Sequence, residues 1–132
     1  MLKKKNIKYL KLLTSEDILD ITILIETNEI KRFAINYRAN IHDGWREIYR
    51  VDNYHGYLHE MKFWRNQEQI IIKDKNGWSS KDIFNYYIDE VTENFQRYRI
   101  YFDRALRQNR TERKKNDKNE TRIREEGTKK KG

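Results

Sequence analysis

The sequence predicts an α+β fold: an antiparallel meander sheet of about five strands packed against a long C-terminal amphipathic helix, with a basic disordered tail. Three observations carry this. Runs rich in β-branched and aromatic residues, separated by turn residues, occupy positions 20–72. Apolar residues then step by three or four from Phe84 to Ala105. Beyond residue 111 only Ile123 is strongly apolar.

Taken in order, Leu10, Leu12, Leu13, Ile18 and Leu19 are read as a short leading helix, with Thr14 or Ser15 capping Glu16-Asp17-Ile18. Asp20-Ile-Thr-Ile-Leu-Ile-Glu26 is a strand by its β-branched content, and Arg32-Phe-Ala-Ile-Asn-Tyr-Arg38 places Phe33, Ile35 and Tyr37 on one face. Thr27-Asn28-Glu29 joins them as a tight hairpin, with Asn28 suited to positive φ. Asp43-Gly44 makes the next turn. Trp45–Val51 and Tyr57–Trp64 are the following strands, flanking a loop in which Gly56 supplies the turn backbone. Ile70-Ile-Ile72 is a short fifth strand. Every connection is a few residues long, which favours up-and-down order.

Asn76-Gly77 closes this part of the chain. Ser79 with Asp82 three residues on is an N-cap signature, so a helix starts near Ser80. Its stripe of Phe84, Ile88, Val91, Phe95, Tyr98, Phe102 and Ala105 is the lid over one sheet face. Running to about Arg107, such a helix is ~40 Å long, more than a small sheet covers. Residues 1–110 thus form a single α+β domain, and residues 111–132 a basic tail too poor in apolar surface to order itself.

A chain of 132 residues supports one core. Charged residues, 38% of the total, outnumber hydrophobic ones at 36%, so three Trp, nine Tyr and five Phe must carry much of the burial. The absence of Cys removes disulfides, thiolate metal sites and cysteine nucleophiles. The longest apolar run, Ile21 to Ile25, falls far short of the ~20 residues of a membrane span. Met1-Leu-Lys-Lys-Lys5 leads into no signal-type apolar segment, so the expectation is a cytoplasmic protein without a membrane partner. The net charge of +8 is uneven. Twelve Lys or Arg and five Asp or Glu lie in 104–132, leaving 17 basic and 16 acidic residues in 1–103. The basicity therefore describes a polyanion-binding or merely solubilising tail more than a basic groove.

The densest polar cluster is Arg46, Arg50, Asp52, Asn53, His55, His59 and Glu60, on two neighbouring strands and their loop. At period two, Arg46, Ile48, Arg50 and Asp52 share a face, as do Tyr57, His59, Met61 and Phe63. If the register aligns the two arrays, Arg50, Asp52, His55 and His59 converge on a guanidinium, a carboxylate and two imidazoles. No metal site is predicted, because residues four apart on a strand lie ~13 Å apart. No cofactor is predicted either: Gly-rich phosphate loops are absent, and no Ser stands in a nucleophile-elbow context. Metal-independent RNA cleavage asks only for a base, an acid and a cation. The cluster contains these, and Tyr54, Tyr57 and Trp64 are read as exposed aromatics for stacking on unpaired bases. The plainer alternative is an Arg50–Asp52 ion pair on a solvated face, with His55 a turn residue bonded to backbone.

The segment Tyr49-Arg-Val-Asp-Asn-Tyr-His-Gly-Tyr-Leu-His-Glu60 resembles a signature of small TumE-like toxins of prokaryotic toxin-antitoxin systems. The likeness covers roughly Trp45 to Trp64. In that family the later strand often reads His-x-His, whereas here His59 is followed by Met61. The resemblance implies a toxin acting on RNA, neutralised by a small cognate antitoxin. The leading expectation is accordingly a toxin-like, metal-independent endoribonuclease. Its catalytic residues are Arg50, Asp52, His55 and His59, with Arg46, Tyr54, Tyr57, Trp64, Arg113, Lys114 and Lys115 contacting nucleic acid. The rivals are a non-enzymatic nucleic-acid-binding protein working through the basic C-terminal tail, and a small protein-interaction module.

Overall fold

The structure, a computed structural model, describes residues 3–66 and 68–131, with side chains to Arg110. Six strands cross one sheet in sequence order: β1 Lys4–Thr14, β2 Asp17–Glu26, β3 Glu29–Ile41, β4 Gly44–Asp52, β5 His59–Lys62 and β6 Ile70–Ile71. Every neighbouring pair is antiparallel. The helix α1, Ser80–Lys131, follows. This is the predicted α+β meander with one strand more than expected. The helix runs on through residues 111–131, where the sequence predicted a disordered tail; the side chains of Arg113, Lys114 and Lys115 lie outside those described.

The additional strand replaces the expected leading helix. Thr14 and Asp17 do form cap-like bonds, but these close a hairpin: Thr14 Oγ1 accepts from the Glu16 N–H at 3.0 Å and donates to Asp17 Oδ2 at 2.5 Å. The same local chemistry serves helix caps and Ser/Thr turns, and pairing of Lys4–Thr14 along β2 decides between them. The next two hairpins have two-residue loops with both residues at positive φ, Thr27 at 51° with Asn28 at 64°, and His42 at 53° with Asp43 at 61°. These are the values that match strand twist in a tight hairpin. The second turn therefore lies one residue earlier than predicted, and Gly44 begins β4.

Ser79 caps α1 as read from the sequence, its Oγ accepting from the Asp82 N–H at 3.1 Å. The helix lies over β3 and β4, against one face of the sheet only. Phe84 and Val91 of the predicted stripe are buried, joined by Ile83 and Tyr87, and Ile88, Phe95, Tyr98 and Phe102 pack around them. Opposite stand Leu19, Ile21, Phe33, Ile35, Tyr37, Tyr49 and Val51. Rings meet at Phe33–Phe84 (5.6 Å), Tyr37–Phe95 (6.0 Å) and Tyr49–Tyr98 (5.1 Å). Each fully buried large side chain contributes roughly 1.5–3 kcal/mol. No described helix is long and apolar enough to cross a membrane.

Two polar ties fix the helix to the hairpin end of the sheet. Asp17 is buried, and its Oδ1 accepts from Tyr37 OH at 2.5 Å and from Arg99 Nη1 at 3.0 Å. Arg99 Nη2 also donates to Asn40 O at 2.9 Å. His42 Nε2 meets Asp103 Oδ1 at 2.7 Å, and that bond holds the Asp103 carboxyl below the usual carboxylate range.

Replacing Asp17 strands Tyr37 OH and Arg99 beneath the helix. Asp17→Ala is expected to cost about 2–3 kcal/mol, read as a lower urea midpoint at unchanged slope. Burial also raises the phenols of Tyr37, Tyr49 and Tyr87, and pushes Tyr98 up to about 12. A raised folded value means the native state holds the proton after the unfolded chain has lost it. Tyr98 stabilisation is then complete below pH 10.0 and lost as pH rises through about 12. Urea midpoints should fall across that window, with fewer than the nine tyrosines ionising before unfolding.

Candidate functional site

β4 carries an extra residue. Tyr37 pairs with Tyr49 but Arg38 pairs with Glu47, so Ile48 is the bulged position. Alternation shifts there by one. Tyr49 and Val51 enter the core beneath the helix, and Arg50 and Asp52 fall on the opposite, open face. Arg46, before the bulge, pairs with Ala39 on the core side and donates through Nε to Ile41 O at 3.2 Å. The predicted shared face of Arg46 and Arg50 is therefore corrected: the two arginines stand on opposite sides of the sheet.

The register brings β5 into line with the rest of the prediction. Arg50 is paired with Met61, and Asp52 with His59. Arg50 Nε donates to Asp52 Oδ2 at 2.8 Å, and His59 Nε2 lies 3.3 Å from the same oxygen. Asp52 Oδ1 accepts from the Tyr54 N–H at 3.1 Å, so the carboxylate also shapes the loop. The Asp52 and His59 side chains are only 3% and 2% exposed, whereas that of Arg50 is 36% exposed. His55 stacks on His59 at 5.8 Å, and Tyr57 tilts against it at 5.1 Å. Thus Arg50, Asp52, His55 and His59 do converge.

Their roles divide by access. Both ring nitrogens of His59 face oxygens, Nδ1 lying 3.4 Å from Tyr57 O, and the ring is closed from solvent. His59 and Asp52 are placed to hold Arg50 and the loop. His55 is exposed, as is Tyr57, whose hydroxyl bonds Gln69 Oε1 at 3.0 Å. Asn53 is structural: its Oδ1 accepts from the Phe33 N–H at 2.8 Å, and its Nδ2 donates to Ser80 Oγ at 3.3 Å. The loop's turn is completed by Gly56, whose φ of 87° suits glycine.

Trp64 is not a free stacking surface. It stacks on Tyr98 at 5.2 Å and lies 6.4 Å from Tyr49, within an aromatic group on the helix side. Sequence reasoning also missed a groove of about 430 Å³ on the open face, where Lys8, Thr22, Ala34, Asn36 and Tyr54 surround Arg50. Ladder pairing builds it: Lys8, Thr22, Ala34 and Asp52 form one row across four strands, and Asp20, Asn36 and Arg50 form the next. The available signal was the polar member of each period-two alternation, at Thr22, Asn36 and Arg38. Among the described residues, no group of three or more His, Asp or Glu is arranged to hold a metal ion.

Fold and site together define an α+β protein whose meander sheet has one helix-covered face and one polar face, with an arginine seated on a buried Asp–His pair. The chain belongs to the family described as Domain of unknown function (DUF7718), whose model matches residues 1–108. No curated protein and no solved structure matches it.

The division of roles is testable by stability. Asp52→Ala leaves His59 buried without its carboxylate and is expected to cost about 3 kcal/mol. Arg50→Ala takes one charged donor from the buried Asp52 carboxylate but leaves it His59 and the Tyr54 N–H, and should cost less, about 1–2 kcal/mol. Chemical denaturation of both variants reads the contrast.

Proposed function

We propose that the open sheet face binds single-stranded RNA and that His55 serves a metal-independent cleavage of the bound phosphodiester. The carrying observation is Arg50, fixed through Nε to a buried carboxylate while its side chain lines a groove shared with Lys8. A guanidinium anchored on one edge keeps its remaining N–H groups for phosphate oxygens. Tyr54 on the groove wall supplies a ring on which an unpaired base stacks, and the exposed His55 and Tyr57, 6.3 Å apart, offer two more. The resemblance of Tyr49–Glu60 to TumE-like toxins supports the same reading, as does the basic tail with Arg113, Lys114 and Lys115 as further phosphate contacts. In cells the protein would then be a toxin, restrained by a small antitoxin.

In the reaction, His55 takes the 2′-hydroxyl proton and the 2′-oxygen attacks phosphorus. The bond to the 5′-oxygen breaks, solvent supplies its proton, and Arg50 carries the charge that develops on the phosphoryl oxygens. The products are a 2′,3′-cyclic phosphate and a 5′-hydroxyl. A second reading, binding without cleavage, draws on the closure of His59, which leaves His55 as the accessible imidazole of the pair.

The test is incubation of short single-stranded RNA with the protein in the presence of a chelator, with product ends analysed and binding followed by fluorescence anisotropy. Cyclic-phosphate ends that disappear in His55→Ala establish cleavage. Binding without new ends selects the second reading, and absence of binding removes both and leaves the interaction module. Arg50→Ala should weaken binding by ~10-fold or more. Growth arrest on induction in a bacterial host, relieved by folded His55→Ala, His59→Ala or Arg50→Ala, tests the toxin role.

A further inference from the structure

We propose that the exposed edge of β1 docks an extended acidic strand of another protein, one with a carboxylate at every third position. The inference stands apart from the RNA reading. β1 and β6 are the edges of the sheet, and they differ. β6 has two residues, whereas β1 runs for 11, with only Ile7, Lys11 and Leu13 half-buried. Shortness is one way in which proteins blunt an edge, and β1 does not use it.

Pairing with β2 sets which backbone groups of β1 are free. The Thr27 N–H donates to Lys3 O at 3.2 Å, so Lys3 and Thr27 form a hydrogen-bonded pair, and in an antiparallel ladder such pairs alternate with non-bonded ones. Lys5, Ile7, Tyr9 and Lys11 therefore direct their N–H and C=O groups to β2. Lys4, Asn6, Lys8, Leu10 and Leu12 turn theirs outward, a row that one further antiparallel strand completes.

The side chains define what that strand carries. Positions 3–13 hold Lys3, Lys4, Lys5, Lys8 and Lys11 and no Asp or Glu. Lys4 has Glu26 at 3.6 Å, but among the described residues no carboxylate pairs with Lys5, Lys8 or Lys11. These three step by three and so alternate between faces. Lys8 lies with Thr22 on the open face, and Lys5 and Lys11 lie on the helix side, across from Ile25 and Leu19. Between them Leu10 and Leu12 are 59% and 69% exposed, and Tyr9 is 42% exposed. A strand with Asp or Glu opposite the lysines and β-branched residues between matches both features. A second copy does not. It brings the same lysines, and like charges across a ladder repel, which is how lysine protects an edge from its own kind.

The experiment titrates a labelled synthetic peptide with the full chain, followed by fluorescence anisotropy and by amide hydrogen exchange in NMR spectra. The probe has Glu at every third position in a background of Val and Thr. Binding should weaken with salt and protect the amides of Asn6, Lys8, Leu10 and Leu12. Methylating the peptide nitrogens opposite Asn6, Lys8 and Leu10 should lower affinity ~10-fold or more, whereas methylation opposite Ile7 and Tyr9 should leave it unchanged. Joint Lys5→Glu and Lys11→Glu substitution, which spares the groove residue Lys8, should also cost ~10-fold, regained by a peptide with Lys at the two facing positions. Equal binding of a peptide with its Glu residues grouped at one end, or indifference to which nitrogens are methylated, reduces the contact to bulk charge and overturns the proposal. Dimerisation of the protein alone, with β1 amides protected, overturns it in favour of a second copy. Absence of peptide binding overturns it as well, and if the double substitution then weakens single-stranded RNA, the lysines belong to nucleic acid. If circular dichroism shows the double variant unfolded, the methylated peptides decide with the wild-type chain.

Discussion

The extra residue at Ile48 governs what each side of the sheet presents. A single helix covers one face, so every strand must sort its side chains by parity, and a bulge reverses the sorting beyond it. Without that reversal, the parity that puts Arg46 beside Ala39 would carry Arg50 and Asp52 under α1 and turn Tyr49 and Val51 to the open side. Two charged groups would then lie against Phe33, Tyr87 and Val91, where desolvation has no compensation. The bulge thus allows β4 to contribute to the core and to a polar site within four successive residues.

The two buried carboxylates show the same physical solution used for different ends. Each is removed from water and must be repaid in directed bonds. Asp17 accepts from Tyr37, Thr14 and Arg99, linking the first hairpin, β3 and the helix. All its partners belong to the scaffold. Asp52 accepts from Arg50 and the Tyr54 N–H and faces His59, but Arg50 remains partly solvated and lines a groove. A carboxylate whose partners all point inward holds a fold together. Asp52 instead fixes an arginine whose side chain stays partly solvated at an open groove.

The sequence was most legible where the signal is local. Ser79 and Asp82 mark the helix start through bonds made within one turn, and the stripe from Phe84 to Phe102 reports a face that the helix alone defines. The convergence of Arg50, Asp52, His55 and His59 was also readable, because a short connection between neighbouring strands leaves few registers. What failed was non-local. Thr14 and Asp17 carry the same local bonds in a hairpin as in a helix cap, and only pairing with β2 distinguishes them. Arg46 and Trp64 were misplaced because a bulge and an aromatic packing partner, Tyr98, leave no mark in a period count. Lys8 and Asn36 are separated by two hairpins, so no motif unites them.

The closure of His59 changes how the histidine cluster is to be understood. Two imidazoles in one short segment suggest an acid and a base, yet the rings stack, one exposed and the other enclosed with both nitrogens facing oxygens. A side chain so enclosed cannot exchange a proton with a ligand unless the loop opens. It can fix the carboxylate that fixes Arg50, and give His55 a flat surface to rest on. The departure at Met61 fits this division. Met61 lies across the ladder from Arg50, and an apolar side chain there offers the guanidinium no charged partner. The ordered domain is nearly neutral, so affinity for a polyanion cannot come from its overall field. Under the RNA reading, that domain's share of the binding would rest on a few local cations, and the structure places Arg50 and Lys8 at one groove.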